Sequence, residues 1–287
     1  MKSFYKKLKD TLFNTQLTSS FDTYNNESNT VFNLSNFTGI KTEISKTVSP
    51  NFQISHISNI GPDFESRQTY GTFCFNNLLL QTSIDQDKIF RIRGTHMFNN
   101  FYTKFHTVIG RSKDIFTQIE IDLRNRYNNL CIKMIQPAIK GASCVYVGNY
   151  MQQLGIFSIG GECIKADEYL GLSFVGRYEG IGHVSTISLQ HFNTLSIDYY
   201  KTVTSKNKKS ALFEYGMHFS TNREKQMSYG VGVRVHSKRG EIIGSLDNKK
   251  VLSLVYNDKL SEGLSLNLNC RVGKNVFDYG YGFTYEF

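Results

Sequence analysis

Tryptophan is absent from the 287-residue chain, proline occurs three times, and no apolar run reaches the roughly 18 residues a membrane-spanning helix needs. The last absence excludes a helical membrane protein. It leaves a membrane barrel open, because a spanning strand turns only alternate residues to lipid. Scarce proline leaves long backbone ladders uninterrupted, since each proline removes one donor. Without tryptophan, an aromatic girdle at a membrane surface has to be built from the 17 tyrosines and 22 phenylalanines. The opening MKSFYKKLKD lacks the apolar core and cleavage site of a secretory leader. The asparagine sequons at Asn26, Asn33 and Asn36 are therefore expected to stay unmodified.

Other absences remove catalytic readings. The five cysteines (Cys74, Cys131, Cys144, Cys163, Cys270) are odd in number, scattered and free of any CxxC spacing. They read as reduced thiols facing a cytosol-like compartment, and no metal site is expected. Seven histidines include no HExxH pair, and no GxSxG elbow is present, so neither an enzyme nor a cofactor is expected. The GVGV at 230–233 lies inside a strand pattern rather than before a helix, so its glycines are expected to ease strand curvature. The net charge is +9, yet no basic stripe interleaved with aromatics runs along the chain, which argues against nucleic acid. An anionic membrane surface or anionic solutes remain as partners for that charge. The basic run at 205–210 is expected to be a solvated hairpin loop or a contact to anionic lipid.

What is present is alternation. In the closing VFDYGYGFTYEF, Phe277, Tyr279, Tyr281, Phe283, Tyr285 and Phe287 alternate with Asp278, Gly280, Gly282, Thr284 and Glu286. Period two over this length is a strand whose faces meet different solvents. The same texture recurs from residue 37 in nineteen segments, those near Cys144 and His183 being the faintest. The 251 residues from 37 onward give about 13 per segment, room for a tilted spanning strand and a short turn. Neighbours should be antiparallel hairpins, and an odd count closes only if the first and last strands pair in parallel.

Side-chain chemistry decides which face is wet. In IFTQIEIDLR, Ile115, Ile119, Ile121 and Leu123 share one face and Gln118, Glu120, Asp122 and Arg124 the other. Phe90 and Ile92 likewise oppose Arg91 and Arg93, and Leu264, Leu266 and Leu268 oppose Ser265, Asn267, Asn269 and Arg271. A lysine or arginine turned to lipid at mid-depth costs about 2–4 kcal/mol, so the polar faces should line an interior. A barrel this wide encloses water. The predicted architecture is all-β: a transmembrane barrel of about 19 strands over 37–287, preceded by a helical segment and linker over 1–36. Tyr5, Leu8 and Leu12, with Lys2, Lys6, Lys7 and Lys9 among them, predict a basic amphipathic helix over 2–13. It would pack on its own domain, lie in the lumen or touch a membrane surface. A short helix is expected near 24–32.

The assembled residues resemble the channel-forming 40-kDa subunits of the translocase of the outer mitochondrial membrane, within the eukaryotic porin superfamily. FTGIKTEISKTVSPNFQISHISNIG (37–61) is similar to that family's first hairpin, and IQPAIKG, with Pro137, to a turn after its eighth strand. GGECIKADEYLGLSFVGRYEG (160–180) is similar to its Gly-Gly-Glu and Gly-Arg-Tyr strands. Asp278, Gly280, Phe283 and Tyr285 match the sorting signal shared by mitochondrial barrels. The family often carries a long proline-rich N-terminal extension, whereas the segment before the barrel here is expected to be the short Lys-rich helix and linker.

The resemblance implies a pore for unfolded precursor proteins in the outer membrane of a mitochondrion or a reduced, mitosome-like organelle. It also implies small single-span subunits, a receptor subunit, a second copy of the pore and membrane lipid as partners. Acidic lumen patches would attract basic presequences, the candidates by strand parity being Glu43, Glu120, Asp122, Glu162, Asp198, Glu214 and Asp278. Lys41, Arg91, Arg93, Lys104, Lys133, Arg177, Arg234 and Arg271 would form separate basic zones. A metabolite-selective anion channel of the same superfamily is the alternative, and a soluble all-β binding protein the third reading.

Overall fold

In the computed structural model, residues 20–287 are described, apart from 33, 35, 63, 112, 113, 140 and 205–211. The helix expected over 2–13 and the basic run at 205–210 lie outside the described residues. Nineteen strands follow one another along the chain. The first seven are β1 (Gly39–Ser49), β2 (Phe52–Ile60), β3 (Glu65–Phe75), β4 (Leu78–Asp85), β5 (Phe90–Phe98), β6 (Phe101–Ile109) and β7 (Ile115–Arg124). Next come β8 (Asn128–Gln136), β9 (Val145–Leu154), β10 (Phe157–Ala166), β11 (Tyr169–Gly180), β12 (His183–Gln190) and β13 (Thr194–Thr204). The last six are β14 (Leu212–Asn222), β15 (Met227–His236), β16 (Gly240–Asp247), β17 (Leu252–Ser261), β18 (Leu264–Gly273) and β19 (Val276–Glu286). The two faintest segments of the sequence are thus both strands.

Each strand pairs antiparallel with its neighbour, and β1 and β19 close the ring in parallel, from Gly39 opposite Gly280 to Ser45 opposite Glu286. The amide of Phe287 donates to the Ser45 carbonyl at 3.0 Å, so pairing continues to the final residue. Among the described residues no sheet edge is left open, which answers the hazard of a hydrophobic terminal strand. The three prolines, Pro50, Pro62 and Pro137, all fall between strands. Tight hairpins use residues that tolerate a left-handed backbone, such as Asn76 (φ 45°) and Asn99 (φ 52°).

The outward face carries a continuous apolar belt, including Ile115, Ile119, Ile121, Phe213, Val231, Leu254, Phe277 and Tyr281. These side chains are left exposed by the protein itself, and lipid is the solvent that suits them. The inward face is predominantly polar, with apolar positions such as Met151, Val175 and Val255 among them. Along β7, Gln118, Glu120, Asp122 and Arg124 point to the lumen, as their parity predicts.

Part of the inward face is covered by the chain's own beginning. A 3-10 turn (Phe21–Thr23) and helix α1 (Asn26–Phe32) lie inside the barrel, the turn against β9 and β10 and the helix against β13–β16. Phe21 and Tyr24 bury with Met151 and Val175, and Val31 is fully covered. The glycines at 230–233 here gain a role beyond curvature. A Cβ on Gly232 would come within 2.6 Å of Val31 Cγ1, and one on Gly216 within 3.1 Å of Phe32. Bare backbone on β14 and β15 is therefore the seat of α1. Beyond the helix, Phe37 packs over β19, where a Cβ on Gly280 would meet the Phe37 carbonyl oxygen at 2.4 Å.

Candidate functional site

The candidate site is the inner wall. Strand pairing puts all fifteen acidic and basic candidates on the inward face, with cross-strand rungs such as Lys104–Glu120–Lys133. Being inward does not leave them free. Lys104 Nζ lies 2.5 Å from Glu120 Oε1, and Glu120 is 7% exposed. Asp122, 1% exposed, accepts from Arg124 Nε and Asn129 Nδ2, each at 2.6 Å. Asp198 Oδ1 lies 2.6 Å from His218 Nδ1, while Thr186 and Ser28 donate to its oxygens at 3.3 and 3.4 Å. Glu214 meets His236 Nε2 at 3.1 Å.

Six of the eight basic candidates are paired with carboxylates, so they do not stand as basic zones apart from the acidic ones. Arg91 holds Asp85 at 3.1 Å, Arg234 holds Glu241 at 2.5 Å, and Arg271 approaches Asp278 at 3.8 Å. Lys104 directly opposite Glu120 and Arg271 directly opposite Asp278 fit the rule that cross-strand neighbours of opposite sign attract, whereas like charges there destabilise. Glu162 sits across from Ser173 on β11. Lys41, Glu43 and Arg93 make no ion pair among the described residues. Of the sorting-signal residues, Asp278 and Gly280 face inward and Phe283 and Tyr285 face lipid.

Two basic candidates hold the N-terminal segment. Lys133 Nζ pairs with Asp22 at 2.5 Å. Arg177, buried in the wall, grips Glu27 with two bonds of 2.7 and 2.8 Å and also donates to the Tyr24 carbonyl. This fork-on-carboxylate geometry is the strong, directional form of an ion pair. The Tyr24 hydroxyl adds a bond to Ser188 Oγ at 3.1 Å. Burial on its own would raise the Glu27 carboxyl, and the bonds and charge of Arg177 reverse that, leaving it below its ordinary value of 4.5.

Sequence reasoning missed Asp22, Glu27, His218 and His236. Parity alone could have added His218 and His236, since both share the inward phase of their strands. No local signal marks Asp22 or Glu27, whose partners lie 111 and 150 residues away. The ligand atoms of Asp22, Glu120 and Cys131 lie within 4.8 Å of one another, a metal-like grouping that was not anticipated. Lys133 and Lys104 already neutralise its two carboxylates, so it reads as part of the ion-pair lattice.

What the arrangement can do is conduct: a closed ring with a wet interior and an oily exterior offers a path through a membrane. The family model for eukaryotic porins matches residues 18–280, nearly the whole chain. No curated protein matches the sequence significantly.

Proposed function

The chain belongs to the eukaryotic porin family, and on that premise we propose that it is a protein-conducting channel of the outer membrane of a mitochondrion or mitochondrion-derived organelle. Its cargo is unfolded precursor proteins. The observation that carries this choice within the family is the hairpin at 37–61, whose residues resemble the pore subunit's first hairpin and here form β1 and β2 at the closing seam. Among the acidic candidates, Glu43 is the one we assign to contact basic presequences. It faces the lumen without an ion pair among the described residues, whereas Glu120, Asp122, Asp198 and Glu214 are occupied within the wall. The partners proposed with this function are small single-span subunits, a receptor subunit, a second copy of the pore and membrane lipid.

Planar-bilayer recording of the reconstituted chain tests the proposal. Basic presequence peptide should block the current in a voltage-dependent way, and Glu43→Lys should weaken the block several-fold. A conductance indifferent to peptide would refute protein conduction and favour the second reading, a metabolite and anion porin. The net charge of +9 favours that second reading.

A further inference from the structure

Six arginines sit on inward strand positions: Arg91, Arg93, Arg124, Arg177, Arg234 and Arg271. Among the described residues, five have a carboxylate within 4.0 Å and Arg93 has none. Arg93 is exposed to the lumen, and what surrounds it is rich in hydrogen-bond donors. The rung through it reads Gln81, Arg93, His106, Gln118 across β4 to β7. The neighbouring inward rungs add Ser83 with Arg91 on one side and Thr95 with Lys104 on the other.

Two recesses flank the Arg93 side chain. One, of about 330 Å³, is lined by Gln81, Ser83 and Arg91, and the other, of about 210 Å³, by Lys104, His106, Gln118 and the Lys104-paired Glu120. His106 Nε2 is buried with no hydrogen-bond partner in the protein. A buried, unmatched nitrogen is costly, and it calls for a ligand atom or a water. The two carboxylates nearby, Asp85 and Glu120, are held by Arg91 and Lys104, so the cluster keeps a net positive charge centred on Arg93.

We propose that this recess is a binding site for a small multivalent oxyanion of the phosphate class. The Arg93 guanidinium would take two oxygens in a fork, a geometry that phosphate matches. The amides of Gln81 and Gln118 and the His106 imidazole would donate to the remaining oxygens. The site lies across the lumen from α1, since nineteen strands place β4–β7 opposite the β13–β16 wall. An occupied site would thus set the charge of the uncovered side of the pore.

The test is calorimetric titration of the full chain, folded in detergent micelles, with inorganic pyrophosphate at fixed ionic strength. Wild type should bind saturably at one site. Arg93→Gln should weaken binding roughly tenfold or more, as expected for lost charged hydrogen bonds. Arg93→Lys, which keeps charge without the fork, should fall between them and shows that the loss does not stem from misfolding. Lys259→Gln, an inward cation on β17 distant from the recess, should bind like wild type. Absence of saturable binding in wild type overturns the proposal. So does an equal loss in Arg93→Gln and Lys259→Gln, which would mean general attraction to a basic lumen.

Discussion

The inner wall has two regions built from the same kinds of residue and put to different use. Along β9–β16 the wall is covered: the 3-10 turn and α1 lie on it, glycines give them room, and Arg177 and Asp198 reach up to hold them. Along β3–β6 no described segment packs on the wall, and its charges face the lumen, including Arg93, which has no carboxylate within 4.0 Å among the described residues. In sequence the two regions look alike, each a run of alternating polar and apolar residues. Parity decides which solvent a side chain meets, while a distant segment decides whether that side chain is still available.

The largest effect is expected from charge reversal of Glu120 and Asp122 together. Alternation alone presents them as open contacts for a basic peptide, but both are buried beside cations of their own wall. Glu120→Lys with Asp122→Lys would set like charges against Lys104 and Arg124, and losing one member of a buried pair costs roughly 3–5 kcal/mol. The expected result is failure to recover folded, heat-resistant barrel, scored by gel mobility. Glu43→Lys, by contrast, should fold normally. Normal folding of the double variant would contradict the buried lattice.

A smaller effect sharpens the covered side. Arg177→Met removes the grip on Glu27 and Tyr24, and each lost charged hydrogen bond is worth about 1.5–3 kcal/mol. Hydrogen exchange in α1 should accelerate accordingly while exchange in the strands stays slow. The pH dependence has a definite sign. The Glu27 carboxyl is held below 4.5 in the folded chain, so its contribution to docking is fully present above 4.5. It is lost as pH falls through the lowered value. Acidification should therefore release α1 in wild type, and Arg177→Met should flatten that response.

Much of the fold was legible because a half-wet strand writes its facing into every second residue. Nineteen segments, their turns and the parallel closure follow from that period, from the arithmetic of length and from the family's pattern, and Glu120 or Arg271 could be placed inward without a structure. Pairing was not legible. Lys133 meets Asp22 and Arg177 meets Glu27 only because the N-terminal segment folds back into the lumen, a contact with no local periodicity to announce it. The glycines of 230–233 show the same limit: their spacing is visible, but the Val31 and Phe32 side chains they accommodate belong to another part of the chain.

The most direct measurement is probe accessibility along β7 in lipid vesicles, with spin labels attached in turn at Phe116→Cys, Thr117→Cys, Gln118→Cys and Ile119→Cys. Labels at 116 and 118 should meet a water-soluble paramagnetic probe while those at 117 and 119 meet oxygen dissolved in the lipid, the two profiles running out of phase. Profiles in phase, with all four positions meeting the same probe, would contradict a barrel that is wet within and oily without.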